Sequence, residues 1–178
     1  MASDPLRTLT LVPIETALRN TAHLMDTARA HASAKEIGLD AFLQARLYPD
    51  MFTLLQQLQY VSFVAADFAR HLSDSPPPRV GYDETTWEEL RKSLDVALEY
   101  VAGIPGERVA ARAGAVVPLF FNDAAGMPLL DYAARVTIPD LHFHVVVAYA
   151  ILRHNGVPLG KGDFLGDLQT VAMAPGGS

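Results

Sequence analysis

Cysteine is missing from the chain, which removes disulfides, thiolate metal ligands and a cysteine nucleophile together. Positive charge is scarce too. The 14 Lys plus Arg are scattered and the net charge is −6, so the sequence carries no basic footprint for nucleic acid. No uninterrupted apolar stretch approaches the roughly 20 residues that span a bilayer. The opening MASDPLRTLTLVPIETALRN meets charge before any run fit for a signal peptide. A P-loop, a G-x-G-x-x-G, an H-E-x-x-H and a G-x-S-x-G elbow are all lacking. These absences lead us to expect a cytoplasmic protein with neither nucleic acid nor membrane as partner.

What remains is apolar and regular. Half of the 178 residues are hydrophobic and 19% are charged, a balance that supports one generous core in one domain. We expect that domain over 1–166 and a flexible tail over 167–178, where AMAPGGS ends the chain.

Four helices are legible from periodicity. Beyond Pro13, the residues Ile14, Leu18, Thr21, Ala22, Met25, Ala28 and Ala32 recur at helical spacing, which predicts a first helix over about 12–35. A short helix capped by Asp40 follows, and Tyr48-Pro49 interrupts it. From Asp50, the residues Leu54, Leu55, Leu58, Val61, Ala65, Phe68 and Leu72 form a stripe that SDSPPP closes. Thr85-Thr86-Trp87-Glu88 fits a capping box and predicts a third helix over about 86–102. Glycine and proline break residues 107–130 into a small hairpin or an irregular loop. Pro139 then starts a fourth helix with Leu141, Val145, Ala148 and Leu152 on one side, and Gly156 suits its end. The fold class expected is all-α, a four-helix bundle with a small hairpin or irregular excursion between its third and fourth helices.

The strings ARLYPDMF at 45–52, QQLQ at 56–59, DETTWEEL at 83–90 and FHVVVAYAILRHNGVPLGKGDFLG at 143–166 together resemble a domain-of-unknown-function branch of the DinB/YfiT-like superfamily, over roughly residues 5–166. The resemblance implies a DinB-like bundle, a homodimer, and a cavity between helices. In better-known members it also implies a divalent metal held by one histidine of the second helix and an H-x-x-x-H pair of the fourth. This sequence departs from that pattern, with H-x-H at 142 and 144 and Ala148 where a partner of His144 would stand.

Two residues apart on a helix, His142 and His144 point about 200° from one another, so one of them faces a pocket readily. His144 is the chosen one. It is compatible with a satisfied core histidine, a pocket acid or base, or a metal ligand. Tyr149 shares a face with His142 more closely than with His144, and its phenol can orient a substrate or simply pack. His154, before Asn155-Gly156, suits a helix end as well as a binding role. Arg46 and Asp50 bracket the proline turn, either as an ion pair or as an anion anchor and an acidic group at a cavity mouth. Gln57, polar within an apolar stripe, demands a partner. GKGD at 160–163 reads as the start of a C-terminal arm anchored by Phe164 and Leu165.

These residues suit proton transfer on an oxygenated small molecule: isomerisation, dehydration, decarboxylation or cyclisation. In that reading His144, Tyr149 and Asp50 are catalytic, and Arg46, Gln57, His142 and His154 bind substrate, with no organic cofactor and no assigned metal ligand. A divalent-metal enzyme and a non-catalytic, dimeric binding or stress-related bundle are the alternatives.

Overall fold

The computed structural model describes residues 4–173. Four long helices carry the molecule: α1 (Pro5–Ala34), α3 (Leu54–Arg70), α4 (Trp87–Ala102) and α7 (Ile138–His154). Between them lie the short helices α2 (Asp40–Leu43), α5 (Gly106–Arg112) and α6 (Leu129–Tyr132), the hairpin β1 (Val116–Leu119) and β2 (Asn122–Pro128), and finally α8 (Lys161–Leu165). Helix α3 packs on α4 and α7, and α1 packs on the same two from the other side. These helices share one core, and the seven residues of the first apolar stripe are all buried in it.

Helix boundaries follow capping chemistry more than apolar spacing. Asp4 accepts the Leu6 N–H at 2.9 Å with Pro5 in the first turn, so α1 begins well before the expected residue 12. Pro13 then lies inside the helix. It removes one backbone bond, to the Leu9 carbonyl, and Leu9 is exposed to water. Helix α3 starts at Leu54 rather than Asp50 because Thr53 and Gln56 form a reciprocal capping box. That box, T-x-x-Q, is as readable as the one before α4, where the pair is Thr86 and Glu89, one residue beyond the expected Thr85 and Glu88. Asp40 is the first residue of α2 and not its cap.

The larger difference concerns α7. The chain is helical without interruption from Leu129 to His154, so Pro139 does not begin the helix but sits inside it. The preceding turn, Ala133–Thr137, is π-helical, with the Ile138 N–H donating to the Ala133 carbonyl five residues back. A wider turn of this kind relieves the crowding that a proline ring imposes on the turn before it. The 26-residue helix is long and apolar enough to cross a membrane by composition alone. Its apolar side is spent on packing, with Leu141, Val145, Ala148, Ile151 and Leu152 all buried.

Strands β1 and β2 pair antiparallel with a bulge between Pro118 and Leu119, which makes the expected excursion a true hairpin. Its Phe120 meets Phe63 of α3 edge to face. Residues 167–173 follow α8 without helix or strand, with Leu168, Val171 and Met173 exposed. The last five residues of the expected tail lie outside the described residues.

Candidate functional site

His144 is buried to 5% exposure where α3 crosses α7. Its Nδ1 lies 2.6 Å from Gln57 Oε1. The Gln57 amide is oriented by its Nε2, which donates to the Phe52 carbonyl at 3.5 Å, so the oxygen is the atom turned to the imidazole and Nδ1 must be the donor. That assignment leaves Nε2 as the nitrogen able to take or give a proton. Asp140 Oδ1, one helical turn earlier, is 3.5 Å from it, and Asp140 Oδ2 is buried with no hydrogen-bond partner among the described residues. The Tyr60 ring stands 4.8 Å from the imidazole, with Phe52 and Phe143 beyond it. Phe52 and Phe143 are themselves exposed, so this cluster lies one aromatic layer beneath the surface.

Of the seven residues singled out in the sequence, His144 and Gln57 come together. The others are elsewhere. His142 turns to the opposite side of α7, where its Nδ1 donates to the Ile138 carbonyl at 2.8 Å. Tyr149 joins it there, and both rings meet Phe164 edge to face. His154 is exposed at the end of α7, about 15 Å along the axis from His144 at 1.5 Å per residue. Arg46 and Asp50 are exposed in the turn before α3. Arg46 donates to the Pro49 carbonyl at 3.2 Å, and among the described residues no ion pair joins it to Asp50. Because Asp50 precedes the helix, the shared face expected for it and Gln57 does not form.

Sequence reasoning missed Asp140, although D-x-x-x-H was there to read on the N-terminal side of His144. It also missed a second polar cluster, between α3 and α6. Asp67, 9% exposed, accepts from Arg70 Nε at 2.8 Å and from the Tyr132 hydroxyl at 2.9 Å. Burial, more than the neighbouring Asp67, pushes the Tyr132 phenol far above its usual range. His71 packs edge to face on Tyr132, and its buried Nε2 lacks a partner among the described residues. Burial and the adjacent Arg70 lower its pKa. An aspartate inside the run VAADFA was the available signal; Tyr132 had none, because its place depends on the π turn.

A triad of histidines around a divalent metal does not match these donors. Among the described residues no group of three or more His, Cys, Asp or Glu side chains is placed to hold an ion. His144 Nε2 and Asp140 Oδ1 make two donors, and Gln57 is committed to Nδ1, whereas catalytic zinc sites use three protein ligands.

The long helices with their small hairpin define the class: a mostly helical, DinB-like protein. A crystal structure of a DinB family member from Shewanella denitrificans matches with a TM-score of 0.85 and 32% identity, over 94% of this chain and 96% of that one. The family model for a domain of unknown function, DUF1993, matches residues 6–165, and the chain belongs to that family. No curated protein matches the sequence.

Proposed function

We propose that this protein is a small-molecule enzyme acting by proton transfer, of isomerase, dehydratase, decarboxylase or cyclase type, in a DinB-like four-helix bundle. One observation carries the reading: His144 is pinned through Nδ1 by Gln57 while Nε2 faces a carboxylate at 3.5 Å. A core histidine needs its nitrogens satisfied by groups that accept or donate in turn. Here an unprotonated Nε2 and Asp140 are both acceptors, so the pair is arranged around a mobile proton. In this reading His144 takes or delivers the substrate proton, Asp140 stands next to Nε2 as its relay, and Gln57 fixes the tautomer. The chemistry draws on these side chains without an organic cofactor. The aromatic cover of Phe52, Tyr60 and Phe143 would keep water away from the transfer.

The reading is tested without knowing the substrate. The protein is incubated in D2O with a panel of keto acids, hydroxy ketones and β-keto acids, and deuterium uptake at acidic carbon positions is followed by NMR. Uptake in one class, abolished in His144→Gln, is the expected result; no uptake across the panel, or uptake indifferent to that substitution, overturns it. A binding protein without catalysis is the second reading, favoured by the near-complete burial of His144, and the same panel separates the two.

Two copies would associate through the exposed apolar residues Phe143 and Val146, one helical turn apart on α7, and Phe143, whose ring meets His144, would bring a homodimer contact to the edge of the site.

A further inference from the structure

The C-terminal arm closes a cavity that the proton-transfer reading does not use. The space measures about 100 Å³ and its walls include Ala17 and Asn20 of α1, His142 and Val145 of α7, and Phe164 and Leu165 of α8. The arm is fastened by two polar contacts to α1. Asn20 Nδ2 donates to the Phe164 carbonyl at 2.7 Å, and His23 Nε2 lies 2.8 Å from Asp163 Oδ1. Gly166 ends the arm at φ 69°, and a Cβ there would come within 2.0 Å of Asn20 Oδ1, so the close seat depends on glycine.

We propose that this cavity is a binding site for a small neutral molecule carrying a hydroxyl or amide N–H on a compact apolar body, with the arm as its lid. The polarity of the site follows from bonds already made. The Ile138 carbonyl can only accept, so the His142 Nδ1 bonded to it carries the proton and Nε2 is left as an acceptor. Asn20 has spent one amide proton on Phe164 and its Oδ1 is turned against Gly166, so His142 Nε2 is the acceptor on which recognition rests, with the Thr16 hydroxyl on the same wall. The named wall residues bear no carboxylate and no Lys or Arg, which disfavours an ion. The volume is smaller than the roughly 150 Å³ of an engineered apolar cavity that takes benzene, and equals about three waters of liquid. A short alcohol or small amide fits those limits. The lid is a five-residue helix with no fully buried residue, the kind of element that opens locally at low cost.

The site is separate from His144, and its test is independent of proton transfer. Full-length protein is titrated with 2-propanol and with acetamide while the His142 ring nitrogens and the amides of 161–165 are followed by NMR. A saturable shift at His142 Nε2 with slower amide exchange in the arm is expected, and the affinity should fall about tenfold in His142→Phe, the loss of one neutral hydrogen bond. As a second variant, Phe164→Ala should admit phenol, which the native protein excludes. No saturable shift with either probe, binding unchanged in His142→Phe, or phenol binding indifferent to Phe164→Ala would overturn the proposal.

Discussion

Gln57 is the residue on which the candidate site turns, because it both fixes the His144 tautomer and loses its own satisfaction if the histidine goes. Gln57→Leu should therefore cost about 1–3 kcal/mol, the desolvation of a buried donor left unmade, read as a lower urea midpoint with an unchanged slope. A second pair of residues sets the pH limits of stability. The folded-state pKa of His71 lies below its ordinary 6.5, so its contribution is intact above that pH and is lost as pH falls. Tyr132 is raised above its ordinary 10.0, so its contribution is intact below that pH and is lost as pH rises. His71→Leu should flatten the acid limb of a stability-pH curve below about pH 6.5, and Tyr132→Phe should flatten the alkaline limb above about pH 10. Parallel limbs in variant and native protein would contradict both assignments.

At the level of elements, α3 is the piece whose position matters most, since it supplies Gln57 and Tyr60 to His144 and Asp67, with His71 at its C-terminal cap, to Tyr132. Its start is set by the Thr53–Gln56 capping box, and Thr53→Ala should cost about 1 kcal/mol and raise amide exchange around Gln57 before anywhere else in α3. The apolar stripes of α1, α3 and α7 were legible in the sequence because burial follows a 3.6-residue period whatever the ends do. The starts were less legible. Asp4 decides one through a single hydrogen bond and the Thr53–Gln56 and Thr86–Glu89 boxes decide the others through a few, and a stripe that begins at Ile14 or Leu54 says nothing about which polar residue upstream finds an amide. For the site, helical geometry correctly parted His142 from His144, and the polarity of Gln57 in an apolar stripe correctly demanded a partner. Asp140 escaped because the count ran forward from His144, and Tyr132 because a helix begun at Pro139 leaves it out.

For the whole molecule, association is the property most open to measurement. Phe143 and Val146 are 56% and 47% exposed on a helix otherwise buried on two sides, and sedimentation velocity should give a dimer that Val146→Glu converts to monomer. A monomer at all concentrations would remove that interface. The π turn at Ala133–Thr137 bears on the molecule in another way, as a correction of phase. Tyr132 and His144 are twelve residues apart, which in an unbroken α-helix would set them about 120° out of step; one extra residue absorbed in the wide turn cuts this to about 20°. Both therefore meet α3. Deleting one residue from that turn should regularise the helix while keeping its two halves facing the same way, so a shortened chain should fold and retain the Tyr132–Asp67 and His144–Gln57 pairs, whereas inserting one should part them. The length of the chain at this point is thus a setting of rotation, and a missing residue here is a milder change than an added one.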